Sequence, residues 1–78
     1  MDNINFCERI KILRQEARLT QDELAKELEK RGCGATGKYA ISKYENDKRL
    51  PDVKSLVAIS EFFNVSVDYL LGIENKRR

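Results

Sequence analysis

Leu19-Thr20-Gln21-Asp22-Glu23-Leu24-Ala25, followed after a glycine-bearing stretch by Ala40-Ile41-Ser42-Lys43-Tyr44-Glu45-Asn46, decides the fold of this chain. In the first block Thr20 and Glu23 stand three apart ahead of an apolar run. That is the spacing at which a hydroxyl and a carboxylate satisfy each other's backbone N–H groups and start a helix. Leu24, Ala25 and Leu28 then recur on one helical face, and the pattern fades at Arg31-Gly32, where glycine ends helices. In the second block Ala40, Ile41 and Tyr44 make a narrow apolar stripe on a helix of about Lys38 to Glu45, whose other side is polar and basic.

Outward from these two blocks the same reasoning finds three more helices and no convincing strand. Upstream, Phe6, Ile10, Leu13 and Ala17 share one face, with Asn5 as cap and Glu8 placed to reach back. Downstream, Asn46 to Pro51 reads as a loop whose proline suits a helix start. A fourth helix, about Asp52 to Phe63, packs Leu56, Ile59 and Phe63, with Val53 and Ser60 on the same side. Asn64 takes a left-handed stop, Ser66 caps a short fifth helix through Leu71, and Gly72 terminates it. The expectation is an all-α, compact five-helix bundle over residues 1–72, with a basic tail at 73–78.

A chain of 78 residues is one domain with little room for a second. Charged residues make up 36% of it, which is incompatible with a membrane span of roughly 20 consecutive apolar residues. The opening Met1-Asp2-Asn3-Ile4-Asn5 lacks the basic region and apolar run of a secretory signal, so a cytoplasmic location is expected. Cys7 and Cys33 are too few for a disulfide framework. With no histidine, they cannot complete a tetrahedral zinc site, so no metal and no cofactor are implied. Cys7 is read as buried and Cys33 as a loop residue. A redox role for Cys33, beside Lys30 and Arg31, is the alternative.

A net charge of +2 is too small to point to a partner, but its distribution is informative. Between Lys30 and Arg49 the basic residues are Lys30, Arg31, Lys38, Lys43, Lys48 and Arg49, against only Glu45 and Asp47. A local basic face of this kind recruits phosphates even when the total charge is modest. Catalysis is not indicated. There is no histidine, no glycine-rich cradle after a strand, and no acid pair in an evident cleft.

Thr20-Gln21-x-Glu23-Leu24-Ala25, then Ile41-Ser42-x-Tyr44-Glu45-Asn46, Pro51, and Phe63-Asn64-Val65-Ser66-Val67-Asp68-Tyr69-Leu70-Leu71-Gly72 resemble the Cro/C1-type helix-turn-helix family of phage repressors and small bacterial regulators. The resemblance spans about residues 6 to 72. It implies a lambda repressor-like DNA-binding domain that reads the major groove with its third helix. It places Lys38, Tyr39, Ser42 and Lys43 at base edges, and Gln21, Lys48, Arg49 and Lys54 at phosphates. The chemistry of these side chains agrees. Lysine donates to guanine O6 and N7, serine serves several bases, and tyrosine offers a ring edge to a thymine methyl.

The resemblance further implies a structural ion pair between Arg14 and Glu45. It also implies pairing of two chains through Val67, Tyr69, Leu71 and Ile73, which sets two reading helices one DNA turn apart on a palindromic operator. The alternative for those apolar residues is closure of the monomer's own core, where Leu70 is expected.

The joint departs from the family pattern. A usual turn has ~3–4 residues, whereas Gly32 to Gly37 separate the helices here, and Gly37 stands where a polar cap is usual. Thr36 is the remaining candidate cap. The resulting expectation is a sequence-specific double-stranded DNA-binding transcriptional regulator, with repression as the favoured role. Antitoxin and restriction-modification controller roles remain open within that class. A helical protein-interaction module is the rival from another class, which would want exposed Leu, Phe or Met on the third helix.

Overall fold

The computed structural model describes residues 5–32 and 38–73, with the Lys38 side chain outside that description. Five α-helices account for it: α1 Phe6–Glu16, α2 Gln21–Lys30, α3 Lys38–Glu45, α4 Val53–Phe63 and α5 Val67–Leu70. No strand occurs among the described residues. Residues 33–37, and with them Cys33, Thr36, Gly37 and most of the joint, lie outside it, as do residues 74–78 of the basic tail.

Local chemistry sets the helix starts. Asn5, Thr20, Asp52 and Ser66 each cap a helix by accepting from the backbone N–H three residues on. Thr20 does so in a complete capping box, its own N–H donating to Glu23 Oε1 at 2.8 Å. Pro51 lies one residue outside the α4 cap rather than in the first turn.

The stops are as regular. After α1, Arg18 takes a left-handed φ of 59°, and the Arg18 and Leu19 amides donate back to Gln15 and Arg14 carbonyls at 3.0 and 3.1 Å. Asp47 at 57°, Asn64 at 56° and Gly72 at 82° repeat this stop after α3, α4 and α5.

Ile10, Leu24, Leu28, Ile41, Ile59 and Leu70 are fully buried at the centre, drawn from all five helices. Tyr44 meets the edge of Phe6 with ring centroids 5.8 Å apart, joining α3 to α1. Arg31 stacks its guanidinium 5.4 Å from the Phe62 ring centroid, joining the end of α2 to α4.

Four sequence expectations change. Ala17 is exposed, because α1 closes at Glu16 and the turn through Arg18 brings Leu19 against the core in its place. Val53 is 77% exposed. The buried face of α4 is set by Ser55, Ala58 and Ile59, which rotates Val53 outward, with Leu56 and Phe63 partly buried at the margin. Cys7 is half-buried, its Sγ donating to Asn5 Oδ1. Tyr69 is a core residue, and Arg9, buried among apolar neighbours, lays its guanidinium 4.0 Å from the ring centroid.

Candidate nucleic-acid interface

α2 and α3 pack against each other as consecutive helices, with α1 behind α3 and α4 behind α2. The outer face of α3 is polar. Tyr39 is 75% exposed, Lys43 is exposed and Ser42 is half-buried. Ala40, Ile41 and Tyr44, one position to either side, are buried, so the helix has a single orientation available to it. Asn46 completes the C-terminal turn. Its Nδ2 donates to the Ser42 carbonyl at 2.8 Å and to the Ser42 hydroxyl at 3.3 Å. The Lys38 backbone begins α3 beside Tyr39.

Glu45 anchors the other end of α3. Arg14 Nε donates to its Oε2 at 2.5 Å and Arg14 Nη2 to its Oε1 at 3.0 Å, a two-pronged pair between α1 and α3. Arg14 Nη1 also donates to the Leu19 carbonyl at 2.7 Å, just ahead of α2. The side chains of Arg14 and Glu45 are 14% and 4% exposed. The hydrogen bond to Glu45, and secondarily its charge, raise the Arg14 pKa above its already high ordinary value, against the opposing effect of burial. The charge is therefore permanent.

Gln21 sits in a place the family pattern alone does not convey. It opens α2 half-buried, and its Nε2 donates to Glu45 Oε1 at 3.1 Å. One N–H of the expected phosphate-gripping amide is thus committed inside the fold. Nothing in the sequence around Gln21 signals this, because its partner is 24 residues away.

A second cationic edge lies at the start of α4. Lys48, Arg49 and Lys54 are exposed, and the charges of Arg49 and Lys54 act on the Asp52 carboxylate. The Ser55 backbone N–H is the main reason that Asp52's pKa lies below the usual range, and the two cations add to the effect. Among the expected pairing residues, Val67 is half-buried while Leu71 and Ile73 are exposed. Tyr69 is not on that surface.

Residues 7–76 match the family described as a helix-turn-helix domain. The chain belongs to the helix-turn-helix family. HTH-type transcriptional regulator ImmR of Bacillus subtilis is 43% identical over 69 residues, covering 88% of this chain and 50% of that protein. HTH-type transcriptional activator BcrR of Enterococcus faecalis is 39% identical over 71 residues, covering 91% of this chain and 32% of that protein. The chain thus spans half or less of these two relatives. The crystal structure of the P22 c2 repressor protein in complex with a synthetic operator is similar with a TM-score of 0.77 and 28% identity, over 90% of this chain and 97% of that one.

The likeness to the Cro/C1-type repressors therefore holds in both sequence and fold. In this helix-turn-helix chain the unit is α2 and α3, with α1 as its brace.

Proposed function

We propose that this helix-turn-helix chain is a sequence-specific double-stranded DNA-binding transcriptional regulator acting as a repressor, with α3 in the major groove. The carrying observation is the polar outer face of α3, held in one orientation by a buried apolar stripe and by the Glu45 anchor. Lys38, Tyr39, Ser42 and Lys43 read bases. Gln21 and the backbone amides at the start of α2, with Lys48, Arg49 and Lys54, grip phosphates and set register without reading sequence. The similar repressor was crystallised with a synthetic operator, which supports binding of DNA by the same fold.

The chain works in the cytoplasm as a homodimer on a palindromic operator. Exposed Leu71 and Ile73, continuous with half-buried Val67, offer the apolar surface for pairing. A single small domain makes few phosphate contacts and binds weakly, so two copies on one site are physically favoured. On the described part of α3's outer face, Tyr39 is the only large apolar group exposed, which disfavours an apolar protein partner there.

Selection of sites from a random duplex pool tests the proposal, with affinity for the winner compared with a scrambled duplex at two salt concentrations. An enriched palindrome bound far more tightly than scrambled DNA is the expected result. Equal, steeply salt-sensitive binding to both overturns sequence reading. No binding at low salt overturns DNA binding.

A further inference from the structure

We infer that Tyr39 is a specificity-determining residue that recognises a pyrimidine C5-methyl group on the floor of the major groove. The inference rests on the assignment of α3 as the reading helix and names the chemistry which that helix selects.

The outer face of α3 is chemically uneven. Among its described residues, Ser42 and Lys43 present hydrogen-bonding groups, whereas Tyr39 presents a ring. Tyr39 is 75% exposed, so most of an amphipathic aromatic side chain stands in water. Its direction is fixed by its neighbours. Ala40 and Ile41, the next two residues, are 6% and 0% exposed, and Tyr44 is buried further along the same stripe. Tyr39 is therefore turned away from the core in the first turn of α3. The N-terminal residues of a reading helix are the ones that meet base edges.

The groove floor offers one matching group. Base edges there show hydrogen-bond donors and acceptors, and the apolar projection is the C5-methyl of thymine. 5-Methylcytosine carries the same methyl on the same carbon. A ring edge laid against a donor or acceptor strips its water and returns no hydrogen bond. Laid against a methyl, it removes apolar surface of both groups from water. One buried methyl is worth about fourfold in affinity, and two copies on a symmetric site multiply this to roughly fifteenfold. Tyrosine loses little freedom in docking, because few torsions have to be fixed.

Uracil is thymine without that methyl and keeps the same hydrogen-bonding edge. The test takes the duplex enriched by selection and replaces each thymine of a half-site by uracil, one symmetric pair at a time. A second series replaces each cytosine by 5-methylcytosine. Kd is measured at fixed salt for the full chain, for Tyr39→Ala and for Tyr39→Phe, with a scrambled duplex as reference. Tyr39 lies outside the core, so both variants are expected to fold, and circular dichroism verifies it.

For the wild type, one symmetric pair of replacements is expected to change affinity by roughly tenfold. A loss with uracil identifies the methyl as thymine's, and a gain with 5-methylcytosine identifies a methylated cytosine as the preferred base. Tyr39→Phe should keep this sensitivity, and Tyr39→Ala should reduce it to less than about twofold. A wild type indifferent to every replacement overturns the inference. So does sensitivity that persists in Tyr39→Ala, which assigns the methyl to another side chain, or sensitivity lost in Tyr39→Phe, which assigns the contact to the hydroxyl. All three leave the reading helix intact. A wild type that binds selected and scrambled duplexes equally overturns the reading-helix assignment itself, and the inference with it.

Discussion

Arg9 and Tyr69 form a stacked pair, the guanidinium carbon 4.0 Å from the ring centroid, both side chains buried between α1 and α5. Arg9 lies three residues after Phe6 and four before Leu13, squarely within the apolar stripe of α1. A charged residue there is stabilised only by what it meets. The face of an aromatic ring supplies electrostatic attraction, and the aliphatic stem supplies packing. Arg9→Ala removes both and should destabilise the domain by about 2 kcal/mol in urea unfolding. Tyr69→Phe keeps the ring face and should cost much less than Tyr69→Leu. Equal costs would place the loss in the hydroxyl that both variants lack and not in the ring face.

Glu45→Ala should damage stability and DNA binding together. It leaves the Arg14 guanidinium and the Gln21 amide facing a largely closed site without their shared acceptor. Removing one partner of a buried ion pair costs about 3–5 kcal/mol. The 14% exposure of Arg14 gives its charge some access to water and puts the effect at the low end, about 3 kcal/mol. Urea titration measures the first loss. Affinity for a selected duplex, taken at a temperature where the variant is still folded, measures the second.

How far the fold was legible in the sequence follows the range of the interactions involved. The caps at Asn5, Thr20 and Ser66 and the stops at Asn64 and Gly72 act within a few residues, and each sits where local chemistry predicts. Ala17 and Val53 depart from the periodic pattern because periodicity gives the spacing of a face but not where the helix ends or how it is rolled on its neighbours. Tyr69 looked like a surface for pairing because nothing near it in sequence announces Arg9, 60 positions upstream. Family likeness alone points to the Arg14–Glu45 bond, and nothing in the sequence points to the Gln21–Glu45 bond. Partner choice across the fold is a tertiary property, and the site depends on it most.

Arg18 holds a left-handed φ of 59° without glycine's freedom or the local hydrogen bonding of Asn or Asp. A side chain in that region costs roughly 1–2 kcal/mol. Glycine removes that strain but enlarges the freedom of the unfolded chain, at a cost of about 0.5–1 kcal/mol. The difference favours the folded state, so Arg18→Gly should stabilise the domain by about 0.5–1 kcal/mol and raise its thermal midpoint. Arg18→Val, branched at Cβ, should lower it. A fall with glycine would mean that the arginine side chain makes a compensating contact.

Asp52 gives the domain a defined acid sensitivity. Its carboxyl is held below the usual range, chiefly by the Ser55 backbone N–H at the start of α4. A group whose pKa is lower folded than unfolded contributes stability above its unfolded value, roughly 4. That contribution fades as pH falls through the lowered folded value. Asp52→Asn keeps a capping oxygen but cannot ionise. Thermal midpoints of wild type and variant from pH 6 to pH 2.5 should therefore differ at the upper end, with wild type higher, and converge at the lower. A gap independent of pH would assign the cap's worth to hydrogen bonding alone.

Lys43 and Arg49 separate the two halves of DNA recognition. Lys43 projects from the exposed side of α3 one position from buried Tyr44, where the proposed groove lies. Arg49 sits on the exposed edge before α4. A side chain donating to a guanine edge is worth about 1–3 kcal/mol of discrimination, so Lys43→Ala should lower the ratio of specific to scrambled affinity roughly tenfold. Because it also removes a charge, some general loss accompanies it. Arg49→Ala should weaken both duplexes by similar factors and reduce the slope of log affinity against log salt by about 1. Salt titrations on the two duplexes read both effects at once. If Arg49→Ala changes the ratio and Lys43→Ala does not, the groove lies at the start of α4 and the assignment of the reading helix is reversed.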